Sequence, residues 1–201
     1  HWKDRPAPDA GLKARFERGS LIEDAVLREL GALGLSVRTE RTPFEIKNSN
    51  GGLILRGKVD GFLKWDGSEA RQRDFPLEIK SLDPNVFRQV NVLDDFQRFH
   101  FARKYPRQLW TYLYAHNLEE GFFLLDDCTG RWKLIPVALD YAETEAILRQ
   151  CEAAVEAVGA IAGGKPEEET LPSYHQDPAV CRRCWAFGRV CFPPLQEQGL
   201  K

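Results

Sequence analysis

The sequence contains no methionine at all, not even an initiator, and reads as a processed or trimmed product. It also has no apolar run approaching the roughly 18 residues of a membrane-spanning helix. Its start, HWKDRPAPDA, lacks the apolar core of a signal peptide. No membrane partner is expected, and a cytoplasmic location is the default. Cysteine is scarce and odd in number, five residues. In a chain without an export signal that argues against a disulfide framework and makes metal binding the better use for any clustered thiols. An excess of either charge is missing too, since 28 Lys and Arg stand against 30 Asp and Glu, for a net charge of −2. Such a balance does not advertise a polyanionic partner. It does not exclude one, because acidic metal ligands offset a basic groove.

With 43% hydrophobic and 29% charged residues in 201, the chain suits one globular domain with a core of its own and a small appendage. Local charge is more informative than the total. Basic residues gather at Arg98, Arg103, Lys104 and Arg107, and again at Arg182, Arg183 and Arg189; solvated surface and phosphate contact are equally good readings of both groups.

Periodicity divides the chain into elements. Residues 15–33 read as an amphipathic helix, with Phe16, Ile22, Val26, Leu30 and Leu33 at helical spacing and Gly34 as the stop. Residues 53–65 alternate as a strand, with Leu53, Leu55, Val59, Leu63 and Trp65 on one face and Arg56, Lys58 and Asp60 on the other. After the Asp66-Gly67 turn, residues 75–81 form a second strand carrying Phe75, Leu77 and Ile79 opposite Glu78 and Lys80. The pair reads as a hairpin with its ionisable residues on a common side. Helical material is expected over 85–104. A helix then opens at Pro106 and runs to about Asn117, followed by a hairpin of 121–126 and 132–139 and a helix over 141–161. Gly163, Gly164 and Pro166 open a polar linker to a short Cys-, Arg- and aromatic-rich tail, residues 177–201.

Asp60, Glu78 and Lys80 form the constellation with chemical content. Phosphodiester hydrolysis needs a divalent cation on oxygen ligands, an activated water and positive charge near the phosphorus. Two carboxylates from adjacent strands and the Ile79 carbonyl could hold the cation, and Lys80 could lie beside the attacking water. A solvated strand face of alternating acids and lysines is the competing reading. Two more features bear on the choice. Glu23 shares the apolar stripe of Val26, Leu27 and Leu30, where an acid is costly without a partner; a metal or a structural salt bridge would serve. Gln108 and Tyr112 share a helix face at i and i+4.

Together these residues form an ordered series. Gly57-Lys58-Val59-Asp60 resembles the G-x-x-D motif of RecB-type nucleases in the PD-(D/E)XK superfamily. Leu77-Glu78-Ile79-Lys80 resembles their E-x-K motif, and Gln108-Leu109-Trp110-Thr111-Tyr112 resembles their Q-x-x-x-Y motif. The resemblance spans roughly residues 15–139 and implies an α/β (α+β) restriction-endonuclease-like core, a central mixed sheet flanked by helices. It also implies a Mg²⁺- or Mn²⁺-dependent deoxyribonuclease, with exonuclease action on single-stranded ends or tails the first expectation. Asp60, Glu78 and the Ile79 carbonyl would be metal ligands, Lys80 the catalytic lysine, and Gln108 and Tyr112 the residues positioning DNA. Glu23 stands at the catalytic helix position that many RecB-like nucleases fill with histidine. That departure leaves open whether one metal or two are used.

Cys181, Cys184 and Cys191 place three thiols within eleven residues, a spacing suited to an iron–sulfur cluster or to zinc. The tail resembles those of CRISPR-associated RecB-like exonucleases and AddB-type nucleases, which implies a [4Fe–4S] cluster, with Zn²⁺ as the other option. No cysteine precedes Cys128, so the family's upstream ligand is absent from this chain; a ligand in trimmed sequence, a substitute among Cys128, Cys151 and His175, and a replaced or lost cluster are the alternatives. Residues 1–175 would thus be the nuclease domain and 176–201 a metal-binding segment, with DNA and a CRISPR or recombination complex as partners. A catalytically inactive DNA-binding module and a structure-selective endonuclease stay open as alternatives.

Overall fold

The structure is a computed structural model and describes residues 7–65 and 73–165. Seven strands and four helices follow one another as α1 (Ala10–Ala32), β1 (Ser36–Arg38), β2 (Thr42–Lys47), β3 (Leu53–Val59), β4 (Gly61–Trp65), β5 (Arg73–Ser81), α2 (Pro84–Gln89), α3 (Tyr105–Ala115), β6 (Glu120–Asp126), β7 (Trp132–Ala138) and α4 (Tyr141–Ala162). A short 3-10 helix, Leu93–Arg98, lies between α2 and α3. The central sheet has the order β1-β4-β5-β6-β7, antiparallel at every pairing but β5–β6. This is a mixed α/β fold with a mixed sheet flanked by helices. No helix of the described residues is long and apolar enough to cross a membrane.

The parallel β5–β6 pairing needs a crossover, and the helical stretch between the two strands supplies it. The crossover covers one face of the sheet, over a core containing Phe62, Phe96, Leu109, Leu113 and Phe123, and α4 packs on α3 and β3. Helix α1 covers the other face, where Val26, Leu27 and Leu30 meet Leu77, Ile79 and Leu124. Alternation along β5 therefore sorts its side chains between the two layers. Leu77 and Ile79 point toward α1, and Glu78 and Lys80 point toward the crossover helices.

Several expectations hold. Of the hairpin read between 53–65 and 75–81, the pairing of residues 61–65 with β5 forms, and the β6–β7 hairpin and α4 form where periodicity placed them. Others are corrected. Helix α1 starts at Ala10 because Asp9 caps it, accepting from the Leu12 amide at 2.7 Å. Its buried residues are Val26, Leu27 and Leu30, so Phe16, well before them, and Leu33, the C-cap beyond the last turn, both read as part of the buried stripe, are 60% and 62% exposed. The single strand read over 53–65 is two strands in two sheets. β3 leaves at Asp60 to pair with β2 as a separate hairpin, and β4 joins the central sheet. The helical material expected over 85–104 comes in two separate pieces, α2 and the 3-10 helix. The chain is extended at Val90, and Asp95 holds the break by accepting from the Asn91 and Val92 amides at 2.8 and 3.1 Å. The tail residues, with Cys181, Cys184, Cys191, His175, Arg182, Arg183 and Arg189, lie outside the described residues.

Candidate functional site

The bend at Asp60 creates the site. β4 ends its pairing with β5 at Gly61↔Leu77, so the edge of β5 beyond Leu77 has no backbone partner from β4. The Asp60 carboxylate fills that place, with Oδ2 accepting from the Ile79 amide at 3.1 Å. In an extended strand the N–H and C=O of one residue face the same edge. The Ile79 carbonyl therefore looks toward the side on which Asp60 sits.

Glu78 is the next residue back and is 1% exposed. Its Oε1 is ion-paired with the Lys80 ammonium, while Oε2 is buried with no hydrogen-bond partner. Burial, reinforced by the negative charge of Asp60, pushes the Glu78 carboxyl up to about 8 against the opposing pull of Lys80. An ionised oxygen left bare at this depth is costly. Protonation of Glu78 or a cation on Oε2 relieves that cost.

Helix α3 closes the site from above. At 3.6 residues per turn Tyr105, Gln108 and Tyr112 share one face. The Gln108 amide donates to the Tyr112 hydroxyl oxygen, which leaves the hydroxyl proton of Tyr112 free to be given elsewhere. Glu78 is near enough for each group to act on the other's ionisation, yet by bond geometry Oε2 remains unpartnered. Burial, then the charge of Glu78, holds Tyr112 far above the usual phenol range, so it serves only as a neutral hydroxyl. The Lys80 ammonium lies over the Tyr105 ring, with Nζ 5.1 Å from its centroid, a second contact beside its pair with Glu78.

The G-x-x-D glycine also finds a physical reason. A Cβ on Gly57 would meet the Phe44 ring at 2.6 Å. Phe44 in turn packs edge-on against Tyr112 at 5.3 Å between centroids. Gly57 is small so that Phe44 can seat the tyrosine over Glu78.

Glu23 enters from α1 but is occupied. Arg41, in the loop before β2, ion-pairs with it at 2.5 Å and also donates to Ser20 Oγ at 3.0 Å. Burial and then the charge of Asp60 raise the Glu23 pKa, opposed by Arg41 and Lys80. Glu23 is thus within electrostatic reach of the Asp60–Lys80 pair, and its immediate partner is a salt bridge. Among the described residues no three His, Cys, Asp or Glu side chains converge as a metal-holding group. The residues that could hold a cation are two carboxylates, Asp60 and Glu78, with the Ile79 carbonyl on the Asp60 edge. The orphaned Glu78 Oε2 fits a hard, oxygen-seeking divalent ion.

Sequence reasoning missed Tyr105 and Arg41. The i, i+3, i+7 spacing of Tyr105, Gln108 and Tyr112 carried the signal for the first. Nothing local carried it for Arg41, which reaches the site from an irregular loop.

No protein-family model and no curated protein sequence matches the chain. Among solved structures it is similar to one titled "Crystal structure of SSO0001", at 16% identity over 87% of this chain and 68% of that one, with a TM-score of 0.46. A likeness that distant assigns neither a family nor an activity.

Proposed function

We propose that this chain is a divalent-cation-dependent deoxyribonuclease with a PD-(D/E)XK core of the RecB-like kind, acting on single-stranded ends or tails of DNA. The observation that carries the reading is Glu78, a buried carboxylate with one oxygen on Lys80 and the other bare, beside an Asp60 pinned to the next residue's amide. A structural ion pair has no need of a second acid at the same strand end, and a solvated strand face would not bury it.

In this reading Asp60, Glu78 and the Ile79 carbonyl hold Mg²⁺ or Mn²⁺. The bound ion supplies Lewis acidity toward a phosphoryl oxygen and makes water a stronger acid. The Lys80 ammonium, held by Glu78 and the Tyr105 ring, orients the attacking water and stabilises charge developing on the phosphoryl oxygens. Tyr112, whose oxygen accepts from Gln108, stands beside Glu78 and offers its hydroxyl to the strand. Glu23 tunes the field at Asp60 and Lys80 while Arg41 holds it. The three tail cysteines, Cys181, Cys184 and Cys191, are proposed to hold a [4Fe–4S] cluster, or Zn²⁺, that ties the tail to the core, since hydrolysis needs no redox step. Work in the cytoplasm within a CRISPR or recombination complex belongs to the same proposal.

The test is cleavage of labelled single- and double-stranded DNA with Mg²⁺ or Mn²⁺, by wild type, Glu78→Ala and Lys80→Ala, with folding checked by circular dichroism. Each substitution should cost about 100-fold or more. A wild type that cuts nothing, or variants that cut equally well, would end the reading. One observation favours a second reading, a nuclease fold that binds DNA without cutting it: the absence, among the described residues, of a third acidic or imidazole ligand beside Asp60 and Glu78. DNA binding without cleavage in the same assay would select it.

A further inference from the structure

Helix α3 has a second face. Arg107 and Trp110 point roughly 160° around the helix from the Tyr105, Gln108 and Tyr112 side chains. Two hollows of about 480 and 580 Å³ lie on that side and share Gln97 and Trp110 as a common wall. Their chemistry differs. One is lined by Arg103, Lys104 and Arg107, with His100 beside them and Glu143 the one acid. Arg103 is held in place, its Nε donating to the Gln97 carbonyl at 2.9 Å. Arg107 faces Glu143 at 3.7 Å with both side chains half exposed, a contact that an incoming anion can displace. Among the described residues neither Arg103 nor Lys104 has an ion-pair partner.

The other hollow is lined by Pro106, Trp110, Leu139 and Tyr141 together with Asp94 and Asp140, the latter accepting from the Glu143 amide as the cap of α4. Trp110 is fixed there, its indole N–H donating to the Ala138 carbonyl at 3.0 Å. Tyr141 is 55% exposed. A positively charged basin thus abuts a wall of flat aromatic rings with hydrogen-bond acceptors in the same lining. An apolar peptide would leave the cations idle, and a bare phosphate would leave the rings idle. The ligand chemistry that uses both halves is a phosphate joined to an aromatic base.

We infer that the groove behind α3 binds a nucleotide unit of single-stranded DNA, its phosphate on Arg103, Lys104 and Arg107 and its base against Trp110 and Tyr141. The strand form of this inference rests on the nuclease reading. It makes α3 a two-sided element, with catalytic positioning on one face and strand retention on the other.

Anisotropy of a labelled oligodeoxyadenylate of roughly 12 nucleotides, in EDTA so that nothing is cut, tests it on the full chain. Lys104→Gln/Arg107→Gln, both exposed positions that leave the fold intact, should weaken binding about tenfold. It should also reduce the slope of log affinity against log salt by about 1.4, the share of two phosphate contacts on a single strand. Trp110→Leu should weaken binding at least about fivefold with no change of slope. Free dAMP as competitor separates the sources: displacement means that the unit suffices, and failure to displace, with the variants still weakened, means that the unit is read within a strand. Unchanged affinity and slope in the charge variant would overturn the inference. A chain that binds through the groove but never cuts with Mg²⁺ or Mn²⁺ removes the nuclease reading and leaves the groove standing. A chain that cuts through Glu78 while the groove variants bind as wild type removes the groove alone.

Discussion

Replacing Glu78 with glutamine gives the most direct test of the site's electrostatics, because the consequence is a stability, measurable without any substrate. In the metal-free protein Glu78 is 1% exposed, and burial raises its carboxyl from 4.5 to about 8. Below pH 4.5 the folded and unfolded chains both hold the proton, and the group costs nothing. Above it the unfolded chain releases the proton while the folded chain keeps it until the pH passes about 8. Folding is therefore penalised progressively as pH rises through that interval. At about 1.36 kcal/mol per pH unit the full span is worth roughly 5 kcal/mol, comparable to the whole stability of a marginal domain. Glutamine has the same shape, still accepts from Lys80 through its carbonyl, and does not titrate. Urea unfolding in EDTA at several values between pH 5 and pH 8 should show the wild type losing stability relative to Glu78→Gln, the gap widening with pH. Mg²⁺ or Mn²⁺ at pH 8 should restore the wild type and leave the variant unmoved. Parallel pH profiles for the two proteins would refute the claim that a bare, desolvated carboxylate sits in this core.

Two further outcomes are expected from local geometry. Gly57→Ala places a Cβ 2.6 Å from the Phe44 ring, so the ring must move; a loss of about 1–3 kcal/mol is expected, readable in the urea midpoint, and under the proposed nuclease reading cleavage should slow as Tyr112 loses its seat. Asp127 organises the β6–β7 turn. Desolvation alone would raise its pKa, but hydrogen bonds from the Thr129 hydroxyl and amide and from Arg131 bring it down to about 2. Its contribution is thus complete above the ordinary value of 3.8 and lost as pH falls toward 2. Protection of the Thr129 and Arg131 amides, taken relative to their intrinsic exchange rates, should fall over that window in wild type and be lost at every pH in Asp127→Ala.

What could be read from the sequence, and what could not, divides along the range of the interactions. Residues 120–162 follow local rules: two apolar runs flanking a turn with Cys128 at φ 62 and Gly130 at φ 87, then a helix capped by Asp140. They were legible for that reason. The same period-2 pattern misled at 53–65, because alternation persists through Asp60 while the strand changes partners there. Partner choice is non-local, and no window of residues encodes it. The buried stripe of α1 was overextended for a related reason. Phe16 and Leu33 have helical spacing, but how much of the helix lies over the sheet depends on where β1 and β5 end.

The break at Asp60 also shows why the site was only half legible. Had β3 and β4 been one strand, Asp60 would have been one more residue on a ladder, its carboxylate standing off the sheet face. The chain instead turns away there, the backbone of β5 loses a neighbour beyond Leu77, and the Asp60 side chain takes over the Ile79 amide. That substitution of side chain for backbone brings a second negative charge to a strand where Glu78 is already desolvated, and it is what distinguishes the arrangement from an ordinary Glu–Lys pair. The hairpin reading put Asp60, Glu78 and Lys80 on a common side. It could not foretell that Glu78 would be buried with one oxygen bare, because burial is set by Tyr105 and Tyr112 arriving from far along the chain, on a crossover that exists only because β5 and β6 run parallel.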